Sequence, residues 1–476
     1  MTEISEKIIV VSNRIPCSVS LDRSGNIKYK KGIGGLVTAM DPILSKNGGL
    51  WIGWDGQAES RPSKVKKFCI KDECGKVAYS VECIHLTKKE IKNYYHGLSN
   101  RSIWPLFHGF IFQSHFNAGY WKTYVSVNRK FCDKVLKKST DKNIIWVHDY
   151  QLTMLPRMLK QANPKLKILY FLHIPFPNYE IFRVLPLSNK ILDGMLGASL
   201  LGFQTKEDRV NFLVCCKELL GARVNFKKSN VFYNGRTVKV KNFPISIDYE
   251  KFNKLAKKKS AGKFLKSIKR IDNNTKIIMS VERLDYTKGI KERILSIERF
   301  FEKYPSYRRK VIFIQVSVPT RTKIKEYITL KKEIDELVGR INGKFADELW
   351  SPIHYIYKAI PQQKLASFYK AAEICLVTPL RDGMNLVAKE YVSCKTEGNG
   401  VLILSKFAGA AEEMSKYAVM VNPYDIDEVA DSINIALNIH WSTRKKMISN
   451  LRNIVRENDI FHWASSFLNY YKKISG

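Results

Sequence analysis

Eight short runs of β-branched, aromatic and aliphatic residues constrain this chain more than any other feature, because each ends in a polar or glycine-containing turn and then gives way to helical periodicity. In the first half they are KIIVV, NIIWVHD, KILYFLH and LLGFQ; in the second they are TKIIMSVE, KVIFIQVSV, EICLVTP and GVLILS. Such runs alternating with amphipathic helices mark parallel βα units, since a strand covered on both faces has no solvent side to carry polar residues. Between the two sets lie NFPISIDYEKF and a lysine-rich, weakly apolar stretch from Lys254 to Asn274. A chain of 476 residues is also too long for one ordinary core. The expectation is an α/β protein of two Rossmann-like, doubly wound parallel-sheet domains, residues 1–246 and 247–458, with a ligand in the cleft between the carboxyl ends of their strands. The apolar spacing from Asp459 to Ile474 predicts a closing amphipathic helix, residues 459–476, packed back on the N-terminal domain.

Composition narrows the functional classes. The opening MTEISEKIIVVSNR holds only a four-residue apolar run before Ser12, and no segment approaches the roughly 18 uninterrupted apolar residues of a membrane span. A soluble, cytoplasmic protein with no membrane partner is expected. Nine cysteines, with Cys215 and Cys216 adjacent and no CxxC pair, fit reduced thiols better than a disulfide framework. His148 and His173 stand apart from any HExxH-type arrangement, so neither a metal nor another cofactor is expected. The net charge of +36 raises nucleic-acid binding. The excess is lysine scattered along the chain in short runs such as Lys257 to Lys259, without an RNP, zinc-finger or basic-zipper pattern, and so reads as solvated faces with no nucleic-acid partner. A basic surface still attracts anionic sugar phosphates.

The residues at the strand ends carry the chemistry. The loop KKGIGGLVTAM puts Gly34 and Gly35 before a helix start, where backbone can approach an anion closely. In SVERLDYTKG, Arg283 offers a planar fork and Lys288 a point charge, together suited to a departing diphosphate. TPLRDGMNLVAKE follows its strand with a turn at Arg381, Asp382 and Gly383, then helix N–H groups from Asn385 onward. Asp382 is placed to accept from a sugar hydroxyl. Glu390, about two helical turns on, could accept from both ribose hydroxyls of a nucleotide, and a capped amphipathic helix with two exposed acids stays open as the plain structural alternative. His173 in HIPFP, Asp149 in WVHDY and Arg14 in SNRIP also close strands, and for each an ordinary structural role stays open.

Taken in order, SNR, GIGGL, NYYHG with RSIWP, HDY, HIPFP, LLGFQT, SVERLDYTKG, GRINGK and TPLRDGMNLVAKEY resemble the trehalose-6-phosphate synthase family, glycosyltransferase family 20, from about Ile8 to Trp463. The resemblance implies the GT-B architecture and a retaining transfer of glucose from UDP-glucose to glucose 6-phosphate. No residue in these motifs is an obvious nucleophilic carboxylate, so front-face substitution is the expectation, and Arg283 with Lys288 supplying the charge compensation of a divalent ion makes it metal-independent. The resemblance assigns the donor diphosphate to Arg283, Lys288 and the backbone around Gly34, with Leu386, Val387, Ala388, Lys389 and Glu390 closing over phosphate and ribose. Ile360 stands where a backbone group meets uracil, and Asp382 and His173 hold the transferred glucose. Arg14 and Arg321 meet the acceptor phosphate, with Tyr95, Trp104 and Asp149 arranging phosphate, ring face and hydroxyls. Two places depart from the family pattern: TKIKEY follows Arg321 where a GDV-type sequence is usual, and the uracil position is isoleucine instead of an aromatic. Partners compatible with the resemblance are a second copy of the chain and a separate trehalose-6-phosphate phosphatase.

Three other readings stay open on sequence alone. They are a non-catalytic sugar-phosphate sensor of the same fold, a basic nucleic-acid binder, and a different GT-B enzyme such as a sucrose-phosphate-type synthase. Arg283, Lys288, Asp382 and Glu390 standing together argue against the first.

Overall fold

A computed structural model describes residues 7–21, 27–32, 35–58, 65–72, 74–258, 275–322 and 324–475. Gly34 and most of the lysine-rich stretch after Lys254 therefore lie outside the described residues. The chain divides into two compact units, residues 1–245 with 463–476, and residues 246–462.

In the first unit seven parallel strands form the sheet in the order Arg236–Asn242, Leu200–Phe203, Lys167–Phe171, Ile144–His148, Ile8–Arg14, Leu50–Ala58 and Val77–Leu86. Antiparallel strands flank it at both margins. The strand order reverses between Ile8–Arg14 and Ile144–His148. Backbone after these two strands parts in opposite directions there and leaves room for a ligand. Arg14 ends the first of those strands and Asp149 follows the second.

The same rule builds the second unit. Its six strands are all parallel, in the order Ile353–Ile356, Val311–Val318, Lys276–Arg283, Ile374–Val377, Val401–Ser405 and Val419–Val421. The order reverses between Lys276–Arg283 and Ile374–Val377, so the segments carrying Arg283, Lys288 and Asp382 leave the sheet side by side. The buried strand VLILS and its neighbours explain why these segments read as unbroken apolar runs.

The chain re-enters the first unit at Trp463 within the helix Ile460–Ser475. Trp146, fully buried, stacks on Phe467 at 4.8 Å and on Trp463 at 5.1 Å, and the Trp463 indole N–H donates to Phe243 O at 3.1 Å. Gly202 makes that approach possible, since a Cβ there would stand 2.5 Å from both Phe171 and Phe467. No helix among the described residues is long and apolar enough to cross a membrane.

Candidate active site

At the switch point of the second unit, Asp285 caps a single turn that carries Lys288 and ends on Gly289. Gly289 is left-handed, at φ 62°, and a Cβ there would lie 2.5 Å from Thr378 O. Glycine thus lets the Lys288 turn rest on the segment after the neighbouring strand, where Leu380 N–H donates to Thr287 O at 2.9 Å. The consequence is a salt bridge: Lys288 Nζ donates to Asp382 Oδ2 at 2.5 Å, with the lysine largely buried. Asp382 is held in turn by a bridge to Ala408, and Gly409 packs so closely that a Cβ would fall 1.9 Å from Gly383 O.

Asn385 follows in the left-handed region, at φ 75°, and starts the helix Leu386–Cys394 without a side-chain cap. The first N–H groups of this helix, over Leu386, Val387 and Ala388, point outward from its positive end. Lys389 is turned inward: its ammonium donates to Glu413 Oε2 at 2.6 Å and its side chain is only 1% exposed, so burial leaves its backbone as the part nearest a ligand. Glu390 accepts from the Tyr369 hydroxyl at 2.9 Å. Burial pushes its carboxyl up to about 7, against the opposing pull of Tyr369 and Lys251 and with the help of Glu282. Arg283 is exposed at the end of its strand, opposite Val318. Ile360 is buried between the strand Ile353–Ile356 and the helix Gln362–Ala371, so the main chain is what this position offers.

Arg321 is placed less simply than its sequence context suggests. Its guanidinium donates to Asp285 Oδ2 at 2.7 Å and contacts the Tyr327 hydroxyl, and its side chain is only 4% exposed. A phosphate meeting Arg321 would share it with the carboxylate that caps the Lys288 turn. Its left-handed backbone, at φ 47°, is a costly conformation for arginine.

In the first unit the switch point gathers Arg14, Tyr95, Asp149 and His173. The Arg14 guanidinium lies 4.7 Å over the Trp54 ring, and Tyr95 meets the same ring edge-on at 5.5 Å. Gly56 leaves this space free, since a Cβ there would overlap the guanidinium. Arg14 keeps contact with solvent, yet desolvation lowers its pKa, with Tyr95 and Asp55 acting against that shift. A dianion beside it would relieve the cost. Tyr95 is carried by a π-helix, Ile91–Ile103, which runs into Trp104 through an N–H bond five residues back to Ser99 O. Trp104 itself is mostly buried, 4.2 Å from the His108 ring and 5.7 Å from Tyr150.

Asp149 has a left-handed backbone, φ 74°, and its Oδ1 accepts the His173 N–H at 3.3 Å. His173 Nε2 lies 3.0 Å from His148 Nδ1. Two imidazoles at that distance share one proton, and burial pushes His173 down to about 3 and His148 also well below its usual range. His173 is therefore neutral at physiological pH. Gly35 begins the helix Gly35–Asn47 and is exposed.

Sequence reasoning missed Trp54, His148 and the side-chain role of Asn385. Trp54 lies inside the strand Leu50–Ala58, where the glycines on either side of it in WIGWDG read as turn signals and hid it. The partners of His148 and Asn385 are distant in the chain and left no local mark.

The sequence profile of glycosyltransferase family 20 matches residues 6–473. The chain belongs to glycosyltransferase family 20. Within family 20 it is 39% identical, over its whole length, to the alpha,alpha-trehalose-phosphate synthase [UDP-forming] A of Dictyostelium discoideum, and spans 63% of that longer protein. It is also similar to the Burkholderia xenovorans alpha,alpha-trehalose-phosphate synthase (UDP-forming) solved in complex with glucose-6-phosphate. The TM-score is 0.89 and the identity 33%, over 98% of this chain and 100% of that one. The structure described as trehalose-6-phosphate from E. coli bound with UDP-2-fluoro glucose matches with the same TM-score at 34% identity, over 98% of this chain and 99% of the other. Family 20 membership makes the chain a glycosyltransferase of GT-B class and agrees with two parallel-sheet units, each closed by a switch point.

Proposed function

We propose that this chain transfers glucose from UDP-glucose to glucose 6-phosphate, releasing UDP and α,α-trehalose 6-phosphate with the anomeric configuration retained. The observation that carries the reading is the Lys288–Asp382 pair beside the uncapped helix start at Leu386, which joins a cation, a sugar-hydroxyl acceptor and anion-binding N–H groups at one switch point. Relatives solved with glucose-6-phosphate and with UDP-2-fluoro glucose support the choice of substrates.

On this reading the second unit binds the donor. An ammonium has three donor positions, so Lys288 can keep Asp382 and still meet phosphate. Together with Arg283 it stabilises the charge that grows on UDP, which removes the need for a divalent ion. Glu390 takes the ribose hydroxyls, the main chain at Ile360 meets uracil, and Asp382 with the neutral His173 holds the glucose. Arg14, Arg321 and Tyr95 anchor the acceptor phosphate while Trp104 and Asp149 arrange its ring. Retention in many glycosidases uses a carboxylate nucleophile. In this chain Asp382 already accepts from Lys288 and Asn385. Front-face attack is the better fit, with a leaving phosphate oxygen taking the acceptor proton.

The test is direct: incubate the purified protein with UDP-glucose and glucose 6-phosphate in the presence of EDTA, then identify the product and its linkage. An α,α-linked disaccharide phosphate is expected. A different linkage, or turnover only on adding a divalent ion, would overturn the corresponding part of the reading.

A further inference from the structure

We propose that the Asn385 side chain is a positioning residue, tying Asp382 to a buried Glu282–Arg293 pair and so fixing the carboxylate that receives the transferred sugar. The inference rests on the roles of Asp382 and Lys288 given above. It follows from a polar ring that closes on itself. Arg293 Nη2 donates to Lys288 O at 2.9 Å, and Lys288 Nζ donates to Asp382 Oδ2 at 2.5 Å. Asn385 Nδ2 donates to that same Asp382 oxygen at 3.1 Å and to Glu282 Oε1 at 3.3 Å. Glu282 Oε1 returns to Arg293 Nη2 at 3.7 Å. Arg293 is anchored outside the ring by Thr378 Oγ1 at 2.9 Å and Gln315 Oε1 at 3.3 Å, both on or next to the central strands.

The chemistry of the ring decides which way Asn385 points. Ionised carboxylate oxygens only accept, so the amide must turn its NH2 group toward Glu282 and Asp382. The amide oxygen is then left buried and without a hydrogen-bond partner among the described residues. That is a cost, since an unmade buried hydrogen bond is destabilising. Were the backbone conformation the only requirement, glycine would adopt φ 75° with no orphaned oxygen. The side chain is better explained by what its NH2 group does: it bridges two carboxylates that would otherwise face each other, and passes the rigidity of the Arg293 anchor to Asp382. Burial also pushes the Glu282 carboxyl upward, with Arg293 and Lys288 opposing. A ring of two cations, two carboxylates and one neutral amide would be upset by any further charge.

Asn385→Gly is the informative variant, because it keeps the left-handed backbone and the helix start while removing only the bridge. The expected result is UDP affinity by calorimetry within about threefold of the parent, with kcat lower by about ten- to a hundredfold, the loss expected when hydrogen bonds to charged groups disappear. Discrimination between UDP-glucose and a donor of altered sugar-hydroxyl configuration should also relax. Wild-type kcat in this variant, or a loss of UDP affinity matching the loss of kcat, overturns the inference. If the glycine variant does not bind UDP at all, Asn385→Asp decides. A third carboxylate should lower kcat and move the pH optimum downward, where one of the three takes up a proton; an unmoved pH profile overturns the proposal. Failure of the parent protein to turn over UDP-glucose with glucose 6-phosphate would instead remove the functional reading, and the inference with it.

Discussion

Arg283 ends its strand exposed, while Lys288, five residues on, is drawn under cover by Asp382. The two cations therefore differ in kind: Lys288 is buried against Asp382 before any ligand arrives, whereas Arg283 stands exposed where its strand ends. Arg283→Ala should lower kcat by about a hundred- to a thousandfold, the range for removing one preorganised charge stabiliser, and steady-state kinetics with unchanged kcat would reject the leaving-group role. Glu390 offers a second test. Its carboxyl, pushed up to about 7, keeps its proton in the folded chain over the range where an unfolded chain has lost it. Stability linked to this group is thus greatest at low pH and falls as pH rises from the ordinary carboxylate range to about 7. Ribose hydroxyls donate to the carboxylate, so UDP should bind more tightly above pH 7 than at pH 5.5 and release a proton on binding near pH 6. Calorimetry in buffers of different ionisation enthalpy reads this, and Glu390→Gln should flatten the profile.

At the scale of the element, the strands legible in the sequence were the buried, β-branched ones. All eight apolar runs contain a strand, including Ile8–Arg14, Ile144–His148 and Lys276–Arg283. Leu50–Ala58 was not legible, because LWIGWDGQA is punctuated by glycines that normally signal turns, and its pairing with Ile8–Arg14 is a long-range event. Ile353–Ile356 and Val419–Val421 are too short for periodicity to register. The π-helix carrying Tyr95 has no composition of its own to announce it. Helix docking can be tested at Gly202, where an added methyl would meet Phe171 and Phe467. Gly202→Ala should destabilise the first unit by about 1–3 kcal/mol, the usual cost of overpacking, and loosen the stacking of Phe467 on Trp146. Denaturant unfolding followed by tryptophan fluorescence measures it, and an unchanged midpoint would show that the helix shifts freely.

For the whole molecule, two units of similar sheet design carry two different residue sets, one built round Arg14 and the other round Lys288. If the acceptor phosphate serves to orient the sugar, free glucose should be turned over at least about a hundredfold less efficiently than glucose 6-phosphate, since binding energy at a remote group is converted into positioning. Equal kcat/KM for the two acceptors, read by UDP release, would remove the phosphate anchor. What the sequence by itself determined is local: the alternation of strands and helices, the strand-end positions of Arg14, Asp149, His173, Arg283 and Asp382, and the glycines that let backbone approach. Tertiary structure alone decided which of these groups hold one another. Lys288 and Asp382 are 94 positions apart, and Glu282 and Asn385 are 103 apart. Arg321 is claimed by Asp285, Lys389 by Glu413, and His173 is kept neutral by burial beside His148. Periodicity reports which face of an element is buried. Pairing, desolvation and protonation depend on neighbours that only the packed sheet brings within a few ångströms, where electrostatic and hydrogen-bond energies become large.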